Sequence, residues 1–331
     1  MKIIFFIILY FTIYAQDIHF SQYFMSPLNI NPAETGNYES EYRVFLNYRN
    51  QWASITVPYI TYSISIEKKL FKFSENLNTN LGLLTYNDKA GDGNFSTFQI
   101  GPSLNVALKK NLYTFSFGFI PFFNQNSINF SNLYFDNQYN GLYFDPSIDH
   151  QEYFLKSKIK FFNINFGMFF LKSFNSEKIS FLKVGLAIFN LNKPQKSFFN
   201  NEKILLDRRT NFYIETKLFF TNSIRFFPFF LLSNQKVLNE IYVGGLFEIN
   251  THSTYLENFI IGLSSRLNDA IIIYSGLEFA YLTIIFSYDI NVSPLVQASN
   301  MKGGFEIGIR YFLYKNEKPI YIKKHICPEL F

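Results

Sequence analysis

The sequence predicts an all-β protein: a transmembrane antiparallel β-barrel of about fourteen strands with an irregular N-terminal segment. Three observations carry that expectation. Apolar residues alternate with small or polar ones in stretches of about ten, the period that puts one set on each face of a strand. Ile60, Tyr62, Ile64 and Ile66 interleave with Thr61, Ser63, Ser65 and Glu67, and Phe162, Ile164, Phe166 and Met168 interleave with Asn163, Asn165 and Gly167. The 331 residues include 43 Phe and 23 Tyr but a single Trp, more rings than one water-enclosed core can take in, while only 17% are charged. Mean hydropathy is +0.02, and the apolar runs of about 20 residues that a spanning helix needs are missing. Lipid would have to be crossed by strands, with rings outside and small polar residues lining a lumen.

The elements follow in order. Residues 3–13 are an apolar run preceded by Lys2 and closing at Ala15, too short to span a bilayer, so residues 1–15 read as a secretory signal peptide. Residues 16–40 hold Pro27, Pro32 and Gly36 and show no alternation; they form an irregular periplasmic or plug segment. The barrel occupies 41–315, with strands expected at 41–52, 57–70, 80–89, 95–109, 112–123, 159–171 and 179–190. The second half continues with 210–220, 224–232, 240–249, 257–267, 270–279, 281–290 and 303–314. A tail, 316–331, ends the chain.

Loop lengths give an independent check. The longest connections, 124–158, 191–209 and 291–302, are the fifth, seventh and thirteenth. All are odd, so they share one end of the barrel, the outer one if the N-terminus is periplasmic. A soluble sandwich or propeller would carry charge on its outward rows. Here Tyr113, Phe115, Phe117 and Phe119 oppose Thr114, Ser116 and Gly118. An arginine at lipid-facing Phe166 is expected to cost about 2–4 kcal/mol, and at lumen-facing Asn165 far less.

Chemistry is sparse. The net charge of +5 comes from lysines at segment ends, such as Lys68, Lys69, Lys109 and Lys110, which read as solvated turns and not as a nucleic-acid stripe. The single cysteine, Cys327, excludes an internal disulfide framework and an all-cysteine metal site. His19, His150, His252 and His325 lie outside the expected strands, so a barrel-wall serine hydrolase lacks its base. His150, beside Asp149 and Asp145, reads as part of an acidic loop. Ala90-Gly91-Asp92-Gly93-Asn94 joins two strands and is a hairpin turn, because phosphate-cradling glycine loops open a helix. Arg208 and Arg209 fit either a carboxylate site or the barrel rim. The expectation is no enzyme, no cofactor and no metal.

Several blocks are more specific. His19-Phe20-Ser21-Gln22-Tyr23-Phe24 and Ser26-Pro27-Leu28-Asn29-Ile30-Asn31-Pro32-Ala33 resemble the start of mature PorP/SprF-family proteins of the Bacteroidetes type IX secretion system. So do Asn47-Tyr48-Arg49-Asn50-Gln51-Trp52, Asn87-Asp88-Lys89-Ala90-Gly91, Phe189-Asn190-Leu191-Asn192-Lys193-Pro194, Ser287-Tyr288-Asp289-Ile290-Asn291, Gly303-Gly304-Phe305-Glu306 and a closing Cys327-Pro328. The stretch 75–81 is rich in asparagine where the family has glycines, and the tail lacks the basic residue that follows Cys-Pro in the family. The resemblance implies a non-enzymatic outer-membrane barrel, embedded in outer-membrane lipid. It implies as partners either the secretion and gliding machinery or a large secreted surface protein held through its C-terminal domain, and no nucleic acid.

Two places are expected to bind such a partner. Residues 19–33 are rich in rings and amides but hold no charge that could anchor them by ion pairs, so they either plug the lumen or dock outside it. Candidate contacts there are His19, Phe20, Ser21, Gln22, Asn31 and Pro32. Connection 124–158 holds Tyr139, Tyr143 and Phe144, either as a lid or as a grip on cargo. The competing functions are a transport barrel for a hydrophobic or small polar solute and a passive structural barrel.

Overall fold

The computed structural model describes residues 19–314 apart from 55–56, 92, 131–132, 152–155, 199–203 and 295. The expected signal peptide, 1–15, and the tail, 316–331, with Cys327 and His325, lie outside the described residues. Fourteen antiparallel strands close into one barrel. They are β1 (Tyr42–Gln51), β2 (Tyr59–Lys72), β3 (Leu77–Ala90), β4 (Phe95–Lys110), β5 (Tyr113–Ser127), β6 (Lys158–Ser173), β7 (Ile179–Phe189) and β8 (Arg209–Phe219). Then come β9 (Ile224–Gln235), β10 (Leu238–Asn250), β11 (Leu256–Arg266), β12 (Ala270–Phe279), β13 (Leu282–Asn291) and β14 (Lys302–Leu313). Closure is by β1 against β14, from Tyr42 opposite Leu313 to Gln51 opposite Gly304. Every expected strand is present.

The rows face as the alternation requires. Tyr62, Ile64 and Ile66 stand outward and exposed, whereas Thr61, Ser63, Ser65 and Glu67 are buried inside. Such a surface is inside out for water and suited to lipid. The turn-end connections are short, and two of them, 111–112 and 280–281, hold two residues each. The long connections 128–157, 190–208 and 292–301 share the opposite end, here called the loop end. Ala90–Asn94 is the hairpin turn expected, with Gly91 and Asn94 at positive φ.

The barrel is taller on one side. Strands β2 to β6 run 14 to 16 residues, while β7 to β14 run 10 to 13. At the loop end β6 pairs with β5 up to Lys158 opposite Ser127, yet its ladder with β7 stops at Phe166 opposite Ile188. The Phe189-Asn190-Leu191-Asn192 block closes the lower part of that step. Leu191 N–H donates to Ile164 O at 2.9 Å, and the Asn192 amide donates to Phe162 O at 2.9 Å and accepts from Ile164 N–H at 3.0 Å. Asn163 bonds Asn190, whose N–H donates to Asn165 Oδ1. Side-chain amides thus replace missing rungs of the sheet.

One expectation needs correction here. Asn165 does face inward and Phe166 outward, but the lumen is packed. Asn165 is fully buried, and its amide also donates to Ile120 O at 3.0 Å, so an arginine there has no free space to enter.

Candidate functional site

What fills the lumen is the N-terminal segment. From His19 to Ser40 the chain runs through the barrel from the loop end to the turn end, then enters β1. Three 3-10 turns shape it: Tyr23–Met25, Pro27–Asn29 and Pro32–Glu34. Pro27 and Pro32 each open a turn, where a missing N–H costs nothing. Asn31 caps the third, accepting from Ala33 N–H at 2.8 Å while donating to Met168 O at 2.9 Å.

Strand glycines make room for it. A Cβ at Gly118 would collide with the backbone of Pro32 and Ala33, and one at Gly167 with the Asn31 side chain. Glycine within a strand marks such a close backbone approach. These two positions, small-row members of β5 and β6, form the track on which residues 31–33 lie. Ala33 O in turn accepts from Asn105 Nδ2 at 2.8 Å and Ser116 Oγ at 2.9 Å.

Near the loop end the segment is held by strand charges. Ser21 and Gln22 N–H donate to the two Glu306 carboxylate oxygens at 2.7 and 2.9 Å, and Ser21 Oγ donates to Asp289 Oδ2 at 2.7 Å. Arg49 pairs with Glu306 at 3.2 Å and donates to His19 O at 2.6 Å; Arg266 pairs with Asp289 at 3.0 Å and donates to Tyr242 Oη. Two guanidiniums meet two carboxylates with almost no water access, the condition under which buried charges are tolerated. His19 Nδ1 lies 3.1 Å from Glu240. Below, Tyr23 and Met25 pack in a buried cluster with Phe229, Leu231, Tyr242, Leu246, Ile260, Ile272, Tyr274 and Ile285, with Phe24 against it.

A second anchor lies toward the turn end. Glu34 and Glu215 share Lys183 Nζ at 2.8 and 2.7 Å, and Tyr213 Oη donates to Glu34. Burial pushes the Glu34 carboxyl up, but the Lys183 ammonium and the Tyr213 and Asn37 donors overcome it and hold Glu34 below the usual carboxylate range. Gly36 N–H donates to Glu67 at 2.8 Å, and Glu67 is gripped by Arg43 through two bonds. The expectation that residues 19–33 hold no charge for an ion pair leaves out His19, which lies against Glu240, and the first carboxylate anchor comes one residue beyond them, at Glu34.

Of the sequence candidates, His19, Phe20, Ser21, Gln22, Asn31 and Pro32 therefore sit together in the lumen, and all but His19 are buried. Arg209 also faces this segment, donating to Asn29 O at 3.0 Å, while Arg208 donates to Leu191 O. Both serve the rim. Of the residues that anchor the segment, Arg49, Asp289 and Glu306 lie in the blocks that carry the resemblance, with no role attached to them there, and Lys183, Glu215 and Arg266 lie in none. Apart from that, their signal is a charge on the inward row of a strand, which Arg43, Arg209, Lys217 and Arg310 share.

Tyr139, Tyr143 and Phe144 lie apart from these, in the β5–β6 connection. A small hairpin turns at Asn140 and Gly141, with Tyr139 bridging Phe144 and Asp145 N–H donating to Gln138 O at 2.8 Å. Phe144 is half-buried beneath Tyr134, ring centroids 4.8 Å apart. Tyr139, Leu142 and Tyr143 remain 58%, 85% and 60% exposed. Phe144 props this patch; it does not front it.

The loop-end mouth is narrowed by the β7–β8 connection, which carries an isolated bridge from Gln195 to Leu205 and sets Phe198 against Phe95 at 6.2 Å. Among the described residues no three His, Cys, Asp or Glu side chains are placed to hold a metal ion.

A family described as "Type IX secretion system membrane protein PorP/SprF" matches residues 12–311. No curated protein matches the chain. Solved structures that resemble it include the toluene transporter TodX of Pseudomonas putida, 9% identical at a TM-score of 0.51, covering 86% of this chain and 92% of that one. The toluene transporter TbuX of Ralstonia pickettii is 8% identical at 0.50, covering 86% and 92%. The CymD monoaromatic hydrocarbon channel is 9% identical at 0.50, covering 88% and 93%. At these identities the likeness is one of fold.

Proposed function

Since the chain belongs to the PorP/SprF family of type IX secretion system membrane proteins, we propose that it is a closed docking barrel in the outer membrane. It catalyses nothing. It binds the secretion or gliding machinery, or the C-terminal domain of a large secreted partner, and supports export and surface attachment of that partner. The observation that carries this reading is the contrast between a lumen threaded from end to end by the N-terminal segment and an exposed tyrosine patch on the longest connection. A lumen so threaded suits a barrel that works through its surface. Exposed rings concentrate binding energy, because their large contact area comes at little conformational cost.

The test replaces Tyr139, Leu142 and Tyr143 together by Ser, leaving the Phe144 prop in place. The folded barrel should remain as abundant and heat-modifiable as the wild type, while surface display of the secreted partner falls. Unchanged display with normal barrel abundance would take the binding surface off this patch.

One observation favours the transport alternative. A cavity of about 240 Å³ lies beside the segment in the barrel, lined by Phe24, Met25, Phe45 and Leu246 and by the charged Lys183 and Glu215. A hydrophobic or small polar solute would need the segment to leave before it could pass.

A further inference from the structure

The step between β6 and β7 leaves a short sheet edge whose outer part no other segment among the described residues uses. β6 rises beyond its last β7 rung by residues 158–165, about 25 Å at strand rise. Asn192 and Leu191 occupy Ile164 and the carbonyl of Phe162. Main-chain groups alternate sides along a strand, so Lys158, Lys160 and Phe162 point theirs the same way as Ile164, away from β5. Among the described residues nothing bonds the Phe162 N–H or either main-chain group of Lys160 on that side. The described part of the β7–β8 connection turns inward instead, over the mouth, where Phe198 meets Phe95.

We infer that this edge, residues 158–162 of β6, is a strand-addition site for an extended, acid-bearing segment of a protein partner. The inference rests on the docking reading above and specifies its geometry. Lys158 and Lys160 stand outward and exposed beside Phe162, itself 65% exposed with its ring 5.5 Å from Phe123. Two lysines on the outward face place this part of β6 outside hydrocarbon, where a charged row is tolerated. They also choose the occupant. Lysine on an open edge repels a second copy of itself, which disfavours edge-to-edge pairing of two barrels. The same lysines attract a strand with Glu or Asp at alternate positions, since opposite charges directly across a strand pair stabilise it. Main-chain bonds supply the affinity of such an addition and the side-chain row supplies its selectivity.

The experiment uses the full-length barrel in detergent micelles and two labelled peptides of roughly eight residues, enough to cover the edge. One alternates Glu with Val; the other alternates Lys with Val. The acidic peptide should bind at least about tenfold tighter by fluorescence anisotropy and slow amide exchange at Lys160 and Phe162. Lys160→Pro removes the donor on the open side only, leaving the β5 ladder whole, and should abolish binding in a barrel that stays heat-modifiable. Should that variant not fold, Lys158→Glu combined with Lys160→Glu should invert the preference between the peptides. Equal binding of the two peptides, or acidic binding untouched by these variants, overturns the inference. In cells, display lowered by Lys160→Pro but not by the loop serine variant upholds the edge and removes the tyrosine patch. The opposite pattern upholds the patch and removes the edge.

Discussion

Residues 19–36 and the β5–β6 connection draw on the same residues: rings, amides, Pro and Gly. In the first, Ser21, Gln22, Asn31 and Thr35 have no accessible surface, and their polar atoms bond to strands as distant in sequence as β13 and β14. In the second, Tyr134, Tyr139, Leu142 and Tyr143 each keep more than half their surface in water, and the hydrogen bonds of residues 135–149 are local. Composition does not separate the two; the surroundings do. A closed barrel offers the segment inside it charges, glycine tracks and aromatic walls, whereas the connection outside meets the barrel at its base, where Asn129 N–H donates to Gly93 O. Most polar groups of the segment are matched by the strands around it, whereas the rings of the connection are left over.

The comparison can be pressed first at the loop-end anchor. Arg266→Ala strips Asp289 of one of its two guanidinium partners in a buried site, and should cost about 3–5 kcal/mol. The check is a denaturant titration of the folded band in micelles. A loss below about 1 kcal/mol would mean that water enters this layer freely.

The wall comes next. Phe166→Arg should cost about 2–4 kcal/mol by putting charge in hydrocarbon. Asn165→Arg should also be damaging, about 1–3 kcal/mol, because it overpacks a filled lumen and breaks the bonds to Ile120 and Asn190. Tolerance of Asn165→Arg with wild-type stability would show an open lumen and undo the contrast.

Glu34→Gln tests the turn-end anchor more gently, since Lys183 keeps Glu215; about 2 kcal/mol is expected. The pH dependence has a definite sign. Glu34 titrates below its unfolded value of about 4.3 when folded. Its contribution is therefore complete above that value and is lost as pH falls through the folded pKa. Thermal midpoints measured from about pH 7 down to pH 3 should show an acid loss that is smaller in Glu34→Gln. An equal loss in both proteins would assign it to other carboxylates.

The smallest effect belongs to the exposed patch. Tyr139, Leu142 and Tyr143 replaced together by Ser should change barrel stability by no more than about 0.5 kcal/mol. A larger loss, read from the same denaturant titration, would make the patch part of the fold.

The fold was legible because each strand carries its own signal. All fourteen could be placed by alternation and the end of each long connection by parity. What was missed lies at strand ends. Strand β5 was expected to stop at Phe123 but continues through Asn124, Gln125 and Asn126 to Ser127. Outside lipid the outward row no longer has to be apolar, so the contrast fades while the ladder persists. The lumenal site was less legible for a different reason. Ser21 and Glu306 lie 285 residues apart and meet only because β1 closes on β14. No local pattern encodes that meeting. The Asn190–Asn192 block was singled out by resemblance alone, and its physical task of capping β6 appears only once the unequal strand heights are known.

The proposed surface role requires a lumen shut by the N-terminal segment. Conductance across a planar lipid bilayer tests this most directly, with the full-length barrel compared to one lacking residues 19–33. The wild type should insert without a steady open current, and the deletion should conduct. A steady wild-type current as large as that of the deletion would contradict the claim and return the barrel to transport.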